Sequence, residues 1–313
     1  GGFKYHGTRP DDPNDIVPHE HRRELRALKV FGAWTNLVDM KAGNTLDTLI
    51  TENGRGLVRH YLQDIGSTFG SGANGPHAYD EGWDYLYEGG KAMKKLVLLG
   101  FPVERWRTVD YVDNEALGRF EGKAFDPTSW KPRIPTAAYL RARADDDFWA
   151  ARRVMAFSDE MIRAMVKTGQ FSDPEAERLL GDILIQRRDR IGQAYLTAVS
   201  PLVNFALDSN GRLTFENAAV IAKTAAAPVD GYSASWSLFD NNTGQSSTIG
   251  TPTRATGGQV QAPAGLPTAA GSFVKVQLTM AQASAKGAAV APVDVYFRRA
   301  ADGWRLVGVE RLP

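Results

Sequence analysis

The stretch Asp39-Met-Lys41-Ala-Gly-Asn44, answered twenty residues later by Asp64-Ile-Gly66, decides how this chain reads. Upstream of it, His19 to Val38 sets Leu25, Leu28, Phe31, Thr35 and Val38 at three- and four-residue steps. That spacing predicts one apolar stripe on a helix, which makes Asp39–Asn44 the loop after it. Downstream, Thr45 to Ile50 is a short apolar segment and Gly54 to Gly56 marks a turn. Leu57 to Leu62 reads as a strand running into Asp64. The order is helix, loop, hairpin, then Asp-x-Gly, and the hairpin is expected to return Asp64 to the first loop.

Phosphoryl transfer asks for these residue types close together. A carboxylate orients the acceptor hydroxyl and takes its proton. A cation offsets the charge that spreads over the transferred phosphate. A carboxylate and an amide oxygen hold Mg²⁺ against the phosphate tail. Asp39, Lys41, Asn44 and Asp64 supply that set.

Asp39-x-Lys41-x-x-Asn44 resembles the catalytic loop of the protein-kinase-like superfamily. His60-Tyr-Leu-Gln-Asp64-Ile-Gly66 resembles its metal-binding Asp-Phe-Gly segment. The longer tail, Asp64-Ile-Gly-Ser-Thr-Phe69-Gly70, is similar to the atypical branches: lipid kinases and the HipA- and CotH-type bacterial kinases. The chain from Pro18-His-Glu-His-Arg-Arg-Glu to near Tyr195 is also similar to a bacterial family with a C-terminal β-domain. The resemblance implies Asp39 as catalytic base, Lys41 as phosphate contact, and Asn44 and Asp64 as Mg²⁺ ligands, with Mg²⁺ and ATP as cofactors. Leu37-Val38 stand where the family has His-Arg, and Ile65 replaces the central Phe. Only about 18 residues precede the first helix, too few for a nucleotide-binding lobe. The resemblance therefore implies an N-lobe segment upstream or on a companion chain. Its alternative is a catalytically inactive, kinase-derived structural or interaction protein, a pseudokinase working outside the cell as part of an assembly, a homo-oligomer included.

The rest of the 313 residues sets the frame. Of 73 charged residues, 57 fall in 1–200 and 16 in 201–313, so composition shifts near position 200. With no Cys, disulfides, thiolate metal sites and Cys nucleophiles are excluded. A net charge of +1 gives no field for nucleic acid, and no apolar run is long enough to span a membrane. Ser158 before Asp159-Glu160 caps a helix stopped by Gly169; Asp173-Pro174 opens another towards Tyr195; a further helix is expected over Asp147–Ala156. After position 200, Ser233–Leu238, Phe273–Leu278, Val293–Arg298 and Trp304–Val309 alternate as strands, and Asn241–Pro267 reads as a long loop. The expected fold is α+β: an extended arm over 1–18, a mainly helical kinase C-lobe-like domain over 19–198, and a small β-sandwich-like domain over 199–313. A Cys-free chain with a low-charge β-domain points to the periplasm or to secretion.

Other patterns carry less. Gly70-Ser-Gly72-Ala-Asn-Gly75 matches a phosphate-loop string, but Pro76 follows where a helix should open. His19 and His21 point to different faces of a helix start and find no third ligand. Trp83, Tyr85, Tyr87 and Trp106 read as core packing. Ser67, His60 and Asp64 hold the residue types of a hydrolytic triad without a nucleophile-elbow string. Arg187-Arg188-Asp189-Arg190 reads as a solvated helix face, and His6 and His77 form no pattern.

Overall fold

Helix α1 (Arg23–Thr35) ends at Asn36, which adopts the left-handed conformation that Asn tolerates (φ 53°). Its buried face is Ala27, Val30, Ala33 and Trp34, one step round from the expected stripe. The rotation follows from Arg26, whose Nε and Nη2 reach inward to Asp146 Oδ2 (2.6 Å) and Oδ1 (2.9 Å). In this computed structural model, residues 2–101, 103–280 and 289–311 are described. The chain divides into two compact units, Gly1–Ile191 and Gly192–Pro313.

In the first unit α1 is followed by the antiparallel hairpin β1 (Thr45–Glu52) and β2 (Arg55–Leu62), in register from Thr45↔Leu62 to Glu52↔Arg55. A two-residue hairpin, β3 (Ser71–Gly72) and β4 (Gly75–Pro76), comes next. Helix α2 (Gly89–Val97) precedes a long stretch without regular structure; α3 (Ala137–Leu140), α4 (Ala144–Val154), α5 (Asp159–Lys167) and α6 (Pro174–Tyr195) complete the helical set. Ser158 accepts from Met161 N at the start of α5, as its sequence predicts. α1 packs against α3 and α4, and the arm joins the body through buried Phe3, whose N–H donates to Thr45 Oγ1 at 2.8 Å.

The second unit is built from strands. β5 (Leu202–Leu207) and β6 (Arg212–Asn217) are followed by the single turn α7 (Ala218–Ile221), then β7 (Tyr232–Phe239), β8 (Ser246–Ala255), β9 (Gln259–Gln261), β10 (Phe273–Met280), β11 (Val293–Ala300) and β12 (Gly303–Arg311). Five form one antiparallel sheet in the order β12-β11-β10-β7-β8, and three form a second in the order β5-β6-β9. Alternate residues of both enter one apolar core that includes Leu202, Leu213, Trp236, Val276, Val295 and Phe297.

The mainly helical reading is overturned. Helix makes up 27% of the structure and strand another 27%, so a mainly helical kinase C-lobe-like domain does not describe it. Residues 103–136 explain much of the shortfall: they hold a 3₁₀ turn at Arg105–Thr108 and otherwise irregular chain. After position 200 the strands make a five-stranded sheet and a three-stranded one. The expected loop at 241–267 contains β8 and β9. β8 lies at the sheet edge and only Ile249 of it is buried, so its sequence shows no alternation to read. No described helix is long and apolar enough to cross a membrane.

Candidate functional site

The loop after α1 is closed by its own polar groups. Lys41 Nζ meets Asp39 Oδ2 at 2.8 Å, and Asn44 Nδ2 donates to the Asp39 carbonyl at 2.8 Å. A 3₁₀ turn over Ala42–Asn44 leads into β1, and Thr45 Oγ1 donates to the Ala42 carbonyl at 2.6 Å. Arg133 Nη1 lies 3.7 Å from Asp39 Oδ2. Burial pushes the Asp39 carboxyl up, but Lys41, Asn44 and Arg133 outweigh it and hold it below the usual carboxylate range. Asp39 is therefore ionised at neutral pH and suited to orienting a hydroxyl more than to holding its proton.

The hairpin brings the chain back. Gln63 N donates to the Asn44 carbonyl at 2.9 Å, and Gln63 Nε2 to the Gly43 carbonyl at 3.2 Å. Asp64 follows, exposed and left-handed (φ 51°). Asp39, Lys41 and Asn44 are thus hydrogen-bonded together, while Asp64 is brought beside them only through the backbone. Among the described residues no hydrogen bond or ion pair links its carboxylate to the other three.

Mg²⁺ takes hard oxygen donors and keeps phosphate and water in its shell. Asn44 Nδ2 is committed to Asp39, which leaves Oδ1 for a cation. The Asp64 carboxylate is open to solvent. One amide oxygen and one carboxylate suit a cation carried in on a phosphate tail. They do not make an all-protein cage, and no group of three or more acidic or imidazole side chains clusters for one among the described residues.

Sequence reading missed the group that ties the two halves of this site. His77, fully buried, has Nε2 3.0 Å from Ser67 Oγ and Nδ1 3.3 Å from Asn36 Nδ2. Asn36 stands just before the Asp39 loop, and Ser67 just after Asp64. Phe69 N donates to the Thr35 carbonyl at 2.8 Å, and His77 N to the Gly70 carbonyl at 2.7 Å. Gly70 must be glycine: its φ is +75°, and a Cβ there would fall 2.2 Å from the Arg119 carbonyl carbon. Glu81, bonded to Arg133, lies 3.7 Å from His77 Nδ1. No local pattern marks these partners, which sit 10 and 41 residues from His77.

Ser67 and His77 have nucleophile–base spacing, but the hydrogen-bond directions oppose that role. Trp130 Nε1 donates to Asn36 Oδ1 at 2.8 Å. An indole N–H can only donate, so the amide turns its NH₂ towards His77, and Nδ1 must accept. The imidazole proton then sits on Nε2 and points at Ser67. Burial pushes the His77 pKa down, with Arg133 adding to the effect and Glu81 opposing it, so the ring is neutral. This tautomer cannot take the Ser67 proton; it serves as a strap. His60, the base in the sequence-level triad, instead bonds Asp47 on the ribbon at 2.5 Å.

The Gly70–Gly75 string, set aside because Pro76 follows it, forms the β3–β4 turn, with no helix at its third glycine. Two lesser readings change. Arg187 is buried, not solvated: it donates to the Trp34 carbonyl (3.0 Å), the Ala33 carbonyl (2.5 Å) and the Glu121 carbonyl (2.8 Å), and stacks 3.6 Å from the Phe125 ring centroid. Burial pushes its pKa down to about 9, and its bonds cap the C-terminal carbonyls of α1. Tyr87 is exposed rather than packed in the core. No protein-family model matches the chain, and no curated protein or solved structure is significantly similar to it.

Proposed function

We propose that residues 39–66 form the phosphate-and-metal end of an ATP-dependent phosphotransferase site. The observation that carries this reading is the continuous bonded frame Lys41–Asp39–Asn44–Gln63, which ends at Asp64. In it, Asp39 orients the acceptor hydroxyl, and Lys41 can swing from Asp39 to a transferred phosphate. Asn44 Oδ1 and Asp64 are the oxygen donors for Mg²⁺, which when bound neutralises the phosphate tail. The groups that hold the adenine and the α/β-phosphates lie outside this frame.

Calorimetric titration with Mg·ATP tests the reading. The wild type should bind, and Asp64→Ala should bind at least tenfold more weakly. Asp39→Asn should keep the affinity and lose turnover, because Asp39 touches the acceptor and not the metal. Equal affinities in wild type and Asp64→Ala, or no binding by either, would remove the assignment. A second reading, a catalytically silent interaction protein, is favoured by the apolar surface of α2.

A further inference from the structure

His19 opens a 3₁₀ turn, His19–His21, just before α1, and its ring is buried. Both ring nitrogens face groups that can only accept: Nδ1 lies 2.5 Å from the Lys4 carbonyl, and Nε2 2.9 Å from Asp15 Oδ2. Burial pushes the Asp15 carboxyl up, but the Arg9 N–H, His19 and Arg22 outweigh it and hold it below the usual carboxylate range. Asp15 therefore has no hydrogen to give. A neutral imidazole donates from one nitrogen and accepts at the other, so it fits one of these contacts and not both. The imidazolium, a donor at both, fits the pair. These bonds fasten the N-terminal arm. His19 N donates to the Gly7 carbonyl at 2.8 Å, Gly7 N to Glu20 Oε2 at 2.6 Å, and Arg9 N to Asp15 Oδ2 at 2.5 Å. Buried Phe3 of the arm stands edge-on to His19 and His60, ring centroids 6.3 and 5.2 Å away. Its N–H donates to Thr45 Oγ1, which donates in turn to the Ala42 carbonyl. Gly2 runs so close to that turn that a Cβ on it would fall 2.6 Å from the Ala42 carbonyl oxygen.

We propose that protonated His19 is a pH-operated latch: it fastens the N-terminal arm across the turn 42–45, and loss of its ring proton lets the arm go. A ring without that proton sets a lone pair against one of two acceptors. The Lys4 contact is the one to part, because Lys4 is exposed and water can replace the ring at its carbonyl, whereas Asp15 is buried. The charged groups around the ring are already committed. Arg22 pairs with Asp15 Oδ1, the Arg9 side chain with Asp12 and Asp47, and Glu20 takes the Gly7 N–H under the field of Arg141 and His21. From α3, which packs on this turn, Tyr139 faces Tyr5 of the arm. His60 is the second imidazole against Phe3, and its Nδ1 bonds Asp47. The fastened form is the one that binds the proton, so the latch holds at low pH and opens as pH rises. The phosphotransferase reading enters only in naming the Asp39–Asn44 loop as part of a site; under it, the latch decides whether the turn that carries Asn44 is held.

Nuclear magnetic resonance of the imidazole nitrogens and amide hydrogen exchange, both on the full chain, test this. The range runs from about pH 5 to about pH 9 and brackets the ordinary imidazole value of about 6.5. At the acid end both nitrogens of His19 should carry hydrogen. Towards the alkaline end the protection factors of the Phe3 and Gly7 amides should fall at least tenfold. His60→Gln should keep that response. His19→Gln should lose it, with the arm weakly protected throughout. A His19 ring that carries one hydrogen at every pH would overturn the proposal. So would arm protection that is indifferent to pH, or a response that disappears with His60 and survives without His19. Should His19→Gln not fold, the two wild-type measurements and His60→Gln still decide. No nucleotide enters these readouts, so the latch and the phosphotransferase reading fail separately.

Discussion

The two units of this chain solve the interior in different ways. In Gly192–Pro313, Asp294 is the one buried charge among the described residues; it pairs with Lys275 at 2.5 Å, and the rest of the centre is aliphatic and aromatic. In Gly1–Ile191 the interior holds Asp15, His19, Arg26, His77, Glu121, Asp146, Arg187 and Arg188, while large apolar side chains stand in solvent. An apolar interior is non-directional and tolerates exchange if volume is kept. A polar interior fixes geometry, because each buried donor must find its acceptor. In the first unit the buried polar groups add fixed bonds to an interior that is otherwise apolar, with Val30, Trp34, Phe120 and Phe148 among its members, and His77 among them ties the chain before Asp39 to the chain after Asp64.

That contrast breaks first at Trp236. Its ring is 1% exposed and its Nε1 donates to Thr253 Oγ1 at 3.0 Å. Trp236→Ala should cost about 4 kcal/mol, read by chemical denaturation as loss of the second unit's transition, with the first unit's left in place. A single transition lowered as a whole would show that the two interiors do not act independently.

The legibility of the sequence follows the same division. β7, β10 and β11 could be read because alternate residues enter one apolar core, as in Val274-x-Val276-x-Leu278. Helices α5 and α6 could be read from Ser158 and from Asp173-Pro174. The Asp39 loop and its returning hairpin were legible too, since Asn44 and Gln63 do meet. What could not be read are contacts that sequence separation hides. Arg187 looked solvated because its charge gives no sign of the three carbonyls it finds more than 60 residues away. His77 looked isolated for the same reason. α2 was obscured because its apolar face has no partner within the chain, and periodicity reports a face without saying what covers it.

Asp146 and Asp147 sharpen the comparison within a single turn of helix. Asp146 is fully buried, bonded by Arg26, and held below the usual range against the upward push of burial. Asp147 has its Oδ1 shut away without a hydrogen-bond partner, and burial raises it to about 6, with Lys29 opposing and Asp146 and Asp145 reinforcing. A folded-state pKa above the unfolded value near 3.8 means that the native state binds the proton more tightly. The group is neutral in its effect on stability below pH 3.8, and its ionisation costs stability as pH rises through 6. Asp147→Asn should therefore stabilise the first unit by about 3 kcal/mol at pH 8 and by nothing at pH 3.5. The difference in unfolding free energy from wild type, followed across that range, should climb between pH 4 and pH 6. His77, pushed down, bears on stability in the opposite sense: protonation below its ordinary value costs the fold. Both proteins carry that term, so it cancels in the difference.

The smallest effect belongs to the β1–β2 ribbon, where the first unit has neither kind of interior. Seven of the eight residues of β2 are exposed, and Leu49 faces Val58 with 76% of its surface in water. Arg59 Nη2 reaches Glu52 Oε1 at 2.7 Å, with both side chains about half exposed. A two-stranded ribbon is marginal alone, and an exposed pair gains little once screening and side-chain entropy are counted. Arg59→Ala should change the unfolding free energy by no more than about 0.5 kcal/mol, and less at high salt. The same charge-assisted bond is expected to matter at Arg26–Asp146 because the alternative there is a stranded charge, whereas at Arg59 the alternative is water. A loss of several kcal/mol on removing Arg59 would mean that the ribbon is covered in solution.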